Sequence, residues 1–168
     1  MTKGFKKRTG ALVTAVTLFL TMMPTVAFAA GDTIYTDMTY KGISDGSSNR
    51  PYAKFEDALQ KANDGDTIVI KGKAFVNALE EGGVNPLVID KDVTIAGGNN
   101  ARGELYVRAA GIVLDADVAM QNVELNLANK YHNAIFVNGH QFTANNVTRG
   151  SGSREVHLLG GSIGKAQT

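Results

Sequence analysis

Three ring-bearing side chains occupy similar places in the second half of the chain. Tyr106, Phe136 and His157 each stand between two apolar residues in a short segment of alternating polarity. Such alternation predicts a β-strand that buries the apolar residues and turns the ring outward. Flat rings with polar tips suit the binding of sugar rings. Arg108 and Asn138 follow shortly after Tyr106 and Phe136 and could bond hydroxyl groups.

The spacing of these rings predicts that they stack on one outer face. Tyr106 stands at the same offset from Val93 as Phe136 does from Val123. Strands stacked in register would place the rings about 4.8 Å apart. Two interpretations remain open, because the face could bind a carbohydrate or could be covered by a loop, either 73–85 or 128–133.

An acidic pair is the second candidate for chemistry. Asp115 and Asp117 alternate with apolar neighbours, which predicts that both carboxylates point outward from one strand, about 7 Å apart. They are candidate calcium ligands or an acid pair, or else part of a solvated face. Calcium takes about 6–8 oxygen ligands, and the sequence supplies two here. We therefore predict a solvated face and no cofactor, with calcium as the alternative. The three histidines lack the spacing of a zinc site.

A repeat positions these residues. Rows of similar sequence open at Val93, Val123 and Val147. Their separations fall within the period of about 20–50 residues that indicates a solenoid, in which stacked coils bury the apolar face that a single coil cannot bury. Asn122 and Asn146 precede the second and third rows, which predicts an amide ladder at a coil corner.

One helix is predicted before the repeat. Phe55, Ala58, Leu59 and Ala62 follow the spacing i, i+3, i+4, i+7, so a helix near residues 53–62 has one apolar stripe. It would cover the exposed end of the first coil. Strands are expected at 33–35, 67–70 and 87–89, with a looser insertion over 73–85.

Residues around this helix carry a family resemblance. The residues that carry it are Asp45-Gly46, Pro51-Tyr52, Phe55, Ala58-Leu59, Ala62, Gly65-Asp66-Thr67-Ile68, Ile70 and Gly72. With them the sequence resembles the start of right-handed parallel β-helix proteins of the pectate-lyase-like superfamily, over roughly residues 31–161. That resemblance implies an all-β, right-handed parallel β-helix with a short N-terminal capping helix. The superfamily contains lyases, hydrolases, adhesins and passive stalks, so the fold does not specify the function.

The N-terminal segment, 1–29, has the features of an export signal. A basic start with four Lys or Arg side chains precedes an apolar run over 11–20 and the small-x-small sequence Ala27-Phe28-Ala29. We predict a signal peptide (1–29) cleaved after Ala29, one β-helix domain (30–168), and a secreted or cell-surface bacterial protein without a membrane span after cleavage. Without this segment the charge balance is 13 − 16 = −3, which argues against nucleic acid as a partner.

These observations predict a non-catalytic surface module, adhesin-like or carbohydrate-binding, whose partner is a polysaccharide or a host or cell-surface glycan. Two alternatives remain: a polysaccharide lyase or glycoside hydrolase with its catalytic coils beyond residue 168, and a passive stalk. The lack of a terminal cap after Gly161 predicts the N-terminal portion of a longer solenoid. A β-sandwich is the alternative fold, given its similar strand content. The sequence does not specify an oligomeric state.

Overall fold

The structure is a computed structural model that describes residues 31–76, 84–98, 101–129, 133–153 and 156–160. The predicted signal peptide and His132 lie outside these ranges. Within them the chain forms short strands and a single helix, in the following order: β1 (Thr33–Thr36), α1 (Phe55–Lys61), β2 (Thr67–Ile70), β3 (Lys73–Val76), β4 (Leu87–Ile89), β5 (Val93–Gly97), β6 (Gly103–Val107), β7 (Ile112–Leu114), β8 (Val118–Gln121), β9 (Val123–Leu127), β10 (Ala134–Phe136), β11 (Phe142–Asn145), β12 (Thr148–Arg149) and β13 (His157–Leu159).

The strands form three stacked parallel sheets. Sheet 1 has the order β1-β2-β5-β8-β11, sheet 2 has β12-β9-β6-β3, and sheet 3 has β13-β10-β7-β4. From β2 onward, each turn of the chain therefore adds one strand to every sheet before the next turn begins, whereas β1 belongs to sheet 1 alone. Thr67, Thr94, Ala119 and Thr143 occupy equivalent places on sheet 1, so successive coils have nearly the same length. This is an all-β, solenoid-like fold, as the repeat predicted.

The core lies inside the coils because each strand alternates its side chains between two faces. In β6 the inward residues Leu105 and Val107 have no exposed surface, whereas Tyr106 between them is partly exposed. Ile68, Ile95 and Met120 stack on one another from neighbouring coils of sheet 1, and all three are fully buried. Stacking thus gives the inward side chains of the middle coils apolar neighbours above and below.

Helix α1 covers the first coil, and the prediction of this helix is confirmed. Its apolar stripe includes Phe55 and Leu59, both buried, and the helix contacts β1 and β3. The Nζ of Lys91 donates hydrogen bonds of 3.0 Å to the carbonyl oxygens of Leu59 and Gln60. Lys91 thereby satisfies two carbonyls at the C-terminal end of the helix, where a cation is also favoured by the helix dipole.

The predicted amide ladder is present at the corner between sheets 1 and 2. Asn122 and Asn146 adopt left-handed backbone angles, with φ of 54° and 51°. The Nδ2 of Asn146 donates to the Oδ1 of Asn122 at 2.9 Å. Asparagine tolerates this region better than most residues, so one residue is enough to turn the chain from β8 into β9. The guanidinium of Arg102 also donates to Oδ1 of Asn146, at 2.8 Å.

The predicted alignment of rows is wrong for the first row. Val93 pairs in register with Val118, whereas Val123 pairs with Gly103 on another sheet. The error arises because both valines open a strand after Asp or Asn, although on different sides of the coil. Val123 and Val147 do occupy equivalent places, since Glu124 pairs with Thr148.

Two further expectations about elements are corrected. Residues 73–76 form β3 rather than an irregular insertion, because Ala74 and Val76 point inward and add to sheet 2. Asp115 and Asp117 do not share a strand: they lie in the bend between the end of β7 and the start of β8. The paired strands of the described chain are all parallel, which is incompatible with the alternative β-sandwich.

Candidate functional site

The outer face of sheet 2 brings together aromatic, cationic and acidic side chains from successive coils. Its strands place outward residues in two columns along the solenoid. One column runs through Lys73, Glu104 and Glu124. The other runs through Phe75, Tyr106 and Asn126, and these residues pair directly across the strands.

Phe75 and Tyr106 form an aromatic pair, which we call the aromatic platform. Their ring centroids are 5.0 Å apart and the rings are tilted by 35°. The guanidinium carbon of Arg108 lies 5.8 Å from the Tyr106 centroid, within range of a cation–π contact. The platform is partly exposed, and the pairing of β3 with β6 places its two rings in register on adjacent strands.

A groove of about 350 Å³ opens beside the platform. Phe75 and Arg108 contribute from sheet 2, and the segment before α1 supplies the opposite wall. The backbone N–H of Met38 donates to the carbonyl of Lys73 at 3.2 Å, which attaches this wall to β3. The groove is lined by Met38, Ala53, Lys54, Phe75 and Arg108.

The charged column borders the platform on its other side. Lys73 Nζ lies 2.6 Å from Glu104 Oε2, and this hydrogen bond and charge raise the pKa of Lys73 above its usual 10.5. Glu104 and Glu124 are in register on adjacent strands. The Nδ2 of Asn126 donates to Oε1 of both carboxylates, at 3.1 and 3.3 Å. A single amide therefore holds the two carboxylates side by side.

A turn at 150–153 packs over the same face and fixes Asn126. The backbone N–H of Gly152 donates to Oδ1 of Asn126 at 3.1 Å, and Asn126 is only 2% exposed. Ser153 bonds both backbone groups of Leu127. Gly150 has no room for a side chain, because a Cβ there would overlap the Asn126 amide. Gly152 of this turn lies near the edge of the Tyr106 ring. Of the two loops predicted to cover the rings, 73–85 contributes Phe75 to the platform, and its residues 77–83, like 130–132 of the other loop, lie outside the described residues.

The structure separates the predicted binding residues into two groups. Tyr106 and Arg108 lie on sheet 2 or its edge, whereas Phe136, Asn138 and His157 belong to sheet 3 or its edge. Phe136 pairs with Val113 and Leu159, and His157 pairs with Ala134. The predicted stack of the three rings is therefore wrong, because Tyr106 and Phe136 stand on different sides of the coil and His157 is out of register with Phe136.

Phe136 instead continues an apolar column on the outside of sheet 3. This column, which we call the apolar column, consists of Val88, Val113, Phe136 and Leu159. Val88 and Leu159 at its two ends are 43% and 45% exposed. Asn138 lies beside it and donates to Asp115 Oδ1 at 3.4 Å.

One member of the predicted acidic pair, Asp117, takes part in a structural chain of hydrogen bonds. Oδ1 of Asp64 accepts the backbone N–H of Asp92 at 3.0 Å, and Oδ1 of Asp92 accepts that of Asp117 at 2.8 Å. Oδ1 of Asp117 then accepts the backbone N–H of Gln141 at 2.8 Å. We call this series the corner carboxylate chain. The described residues contain no group of three or more His, Asp or Glu side chains that could hold a metal ion.

Sequence reasoning missed Phe75, Glu104 and Glu124. The signal for Phe75 was present, since Lys73 and Phe75 alternate with Ala74 and Val76. Glu104 likewise precedes Leu105 in an alternating strand. What the sequence did not provide was the register that sets these residues beside Tyr106.

Comparison with protein-family models found no matching family, and comparison with curated proteins and with solved structures found no significant match. Among the described residues, no helix has the length and apolar composition needed to cross a bilayer. Any function must therefore be argued from the geometry of the site itself.

Proposed function

We propose that this chain is a secreted or cell-surface, non-catalytic β-helix module that binds carbohydrate on the outer face of sheet 2. The observation that carries the proposal is the aromatic platform beside the groove. Phe75 and Tyr106 offer a ring surface for the apolar face of a sugar, while Arg108, Glu104 and Glu124 supply donors and acceptors for its hydroxyl groups.

The position of these side chains on paired strands supports binding in a single orientation. Its residues come from paired strands and not from free loops, and Asn126 fixes the carboxylates. Side chains held in place before binding lose less conformational entropy when a ligand arrives. A face of this kind suits recognition of an extended chain that runs along the solenoid.

The finer features of the proposal come from the sequence. A right-handed coil fits the resemblance to the pectate-lyase-like superfamily, and the three parallel sheets are compatible with it. Secretion fits the basic, apolar and small-residue order of 1–29. Determination of the mature N-terminus by mass spectrometry tests export: a chain beginning at Ala30 supports it, and a chain that keeps Lys3 to Arg8 contradicts it.

A polysaccharide lyase or glycoside hydrolase is the second candidate, because Lys73, Glu104 and Glu124 converge on adjacent coils. Two carboxylates close together can serve as acid and nucleophile at a glycosidic bond. Lys73, however, has a raised pKa from its contact with Glu104, so it stays protonated at neutral pH and is a poor general base. Binding without turnover is therefore the first choice.

A binding screen against neutral and anionic polysaccharides, with Tyr106→Leu and Phe136→Leu as a matched pair, tests the proposal. We expect Tyr106→Leu to weaken binding by about tenfold, equivalent to about 1.4 kcal/mol. Phe136→Leu should bind like the wild type, since Phe136 lies on sheet 3. Absence of binding, or equal loss in both variants, would rule out this face.

The same incubations test the enzymatic alternative. Unsaturated products or new reducing ends, formed with or without calcium, would establish a lyase or a hydrolase. If Glu104→Gln then abolishes product formation while binding persists, the second candidate replaces the first.

A further inference from the structure

Asp66, the residue just before β2, is a buried carboxylate without a cationic partner among the described side chains. Only 4% of its surface is exposed. Oδ1 accepts the backbone N–H of Asp32 at 2.7 Å, and Oδ2 accepts that of Asn63 at 2.8 Å. None of the Lys, Arg and His side chains that the structure describes forms an ion pair with it. Buried aspartates are rare unless they are paired, because the loss of water around the charge must be offset.

The beginning of the described chain packs against this carboxylate. The backbone N–H of Gly31 donates to the carbonyl of Gly65 at 3.1 Å. A Cβ on Gly31 would overlap Oδ1 of Asp66, so a glycine is needed for the chain to come so close. Cleavage after Ala29 would leave a free α-ammonium on Ala30, one peptide unit from Gly31. The new positive charge would therefore arise beside the buried negative one.

We propose that removal of residues 1–29 stabilises the fold, because the new α-ammonium of Ala30 pairs with the carboxylate of Asp66. The inference rests on the export part of the proposed function and adds a conformational device to it. In the precursor the same nitrogen belongs to a peptide bond and carries no positive charge. The precursor therefore unfolds more readily than the processed chain, which suits a protein that crosses a membrane before it folds.

The location of Asp66 makes such a pair effective. Its hydrogen bonds already join the residue before β1 to the residue that follows the end of α1 by two positions. An ammonium would add the N-terminus to this junction, and a carboxylate has about four acceptor positions, of which two are used here. A hydrogen bond between charged groups is roughly twice as strong as a neutral one, and salt screens a buried pair less than an exposed pair.

Asp32 provides the matched control, since it also follows Gly31 closely but its surface is exposed. An ammonium near an exposed carboxylate gains little, because water and salt weaken the attraction. If general attraction to nearby acidic residues were responsible, the exposed and the buried carboxylates would contribute alike.

Three forms of the chain that starts at Ala30 test the proposal. One has the free α-amine, one is N-acetylated, and one carries Gly-Ser before Ala30, which keeps the charge but moves it by two residues. Each form is made with the wild-type sequence, with Asp66→Asn and with Asp32→Asn. Urea unfolding gives the equilibrium constant for unfolding, and circular dichroism checks the fold.

We expect acetylation and the Gly-Ser extension each to raise the wild-type equilibrium constant for unfolding by about tenfold or more, because a charged hydrogen bond is lost. The same increase should persist in Asp32→Asn and should fall below about twofold in Asp66→Asn. In NMR spectra of the wild type, acetylation should shift the carboxyl carbon resonance of Asp66 and leave that of Asp32 in place. This measurement does not require the Asp66→Asn variant to fold.

Several outcomes would overturn the proposal. Acetylation may leave wild-type stability and the Asp66 resonance unchanged, which means that no pair forms. An equal effect in Asp66→Asn would assign the ammonium to another partner, and a lost effect in Asp32→Asn would indicate only general attraction. Mass determination of the secreted chain separates this inference from export itself: a terminus at Ala30 with no effect of acetylation leaves export standing, whereas another terminus removes both.

Discussion

Sheets 2 and 3 are two sides of the same coils, yet their outer faces differ in chemistry. Both sheets bury an almost uniform row of aliphatic residues inside. Outside, sheet 2 has the aromatic platform between carboxylates and cations, whereas sheet 3 has the apolar column of Val88, Val113, Phe136 and Leu159. Because both rest on the same scaffold, the difference lies in the outward residues alone.

The comparison shows that an exposed ring is not by itself a site. Phe136 has apolar neighbours in register, so it can add hydrophobic contact but cannot orient a ligand. Tyr106 stands beside a second ring, a cation and two fixed carboxylates, which together distinguish one edge of a ligand from the other. The orientation of a bound ligand would therefore be set by the residues beside the ring on sheet 2, and not by the ring alone.

The largest expected effect tests whether the two sides share one core. Leu105 lies directly behind the sheet 2 face and Ile135 lies behind the sheet 3 face, and both residues are buried. The two variants to compare are Leu105→Ala and Ile135→Ala. Each change should destabilise the fold by about 2–5 kcal/mol, since it removes packed methyl groups and leaves a cavity. Urea unfolding measures the loss. A large difference between the variants would contradict the view that the two sides differ only on the outside.

A smaller loss of stability is expected from Gly150→Ala, which affects the sheet 2 side alone. The added Cβ would overlap the buried Asn126 amide, whose hydrogen bonds to Glu104, Glu124 and Gly152 would be disturbed. We expect a loss of about 1–3 kcal/mol from the unpaired polar groups.

Gly98→Ala is the matched control for this change. The nearest atom to its Cβ would be the Ile70 carbonyl oxygen at 3.9 Å, which is an ordinary contact. Thermal unfolding of both variants should give a clearly lower midpoint for Gly150→Ala only; equal midpoints would show that Asn126 can move without cost.

The variant Phe136→Ala tests the outer face of sheet 3. Phe136 is partly exposed, so its removal should cost about 1–2 kcal/mol, less than the roughly 3 kcal/mol or more typical of a fully buried Phe. Carbohydrate affinity should stay at the wild-type value. A stability loss as large as that of Ile135→Ala would mean that the apolar column is covered, and a loss of affinity would mean that it takes part in binding.

The smallest effect concerns a loop that belongs to neither face. Hydrogen bonds from the hydroxyl and the backbone N–H of Ser47 lower the pKa of Asp45 from 3.8 to about 2, and Arg50 adds to this effect. A lowered pKa means that the carboxylate stabilises the folded loop above pH 3.8, and that this contribution is lost as the pH falls from 3.8 to about 2. Carboxyl NMR titration measures the pKa directly. A measured Asp45 pKa near 3.8 would contradict the contacts with Ser47 and Arg50. The variant Asp45→Asn should remove the contribution of this carboxylate to the pH dependence of stability.

Much of the fold was predictable because local patterns specify local structure. The stripe of Phe55, Ala58, Leu59 and Ala62 identified α1, and alternation identified most strands. The side of the coil on which each strand lies was not predictable, because the number of residues at the corners varies without a local signal. A single residue, Asn122, separates β8 from β9, whereas the longer segment 98–102 separates β5 from β6. Because the length of this corner was not recognised, the first row was aligned with strands on a different side of the coil.

The candidate site was predictable only in part for the same reason. Tyr106 and Arg108 were recognised as outward residues, since the strand around them alternates cleanly. Their partners come from other coils, and which residues meet across coils depends on register. A small error in register was enough to align His157 with Phe136 in place of Ala134.

The corner carboxylate chain has a consequence for how such a molecule can change in length. Asp92 and Asp117 each accept a backbone N–H from the next coil, and each donates its own backbone N–H to the aspartate of the coil before. The unit between Asp92 and Asp117 thus begins and ends with the same pair of connections. A duplicated or deleted unit of this kind would meet its neighbours through unchanged hydrogen bonds, so lineages could lengthen or shorten the solenoid by whole turns while the face on sheet 2 keeps its register.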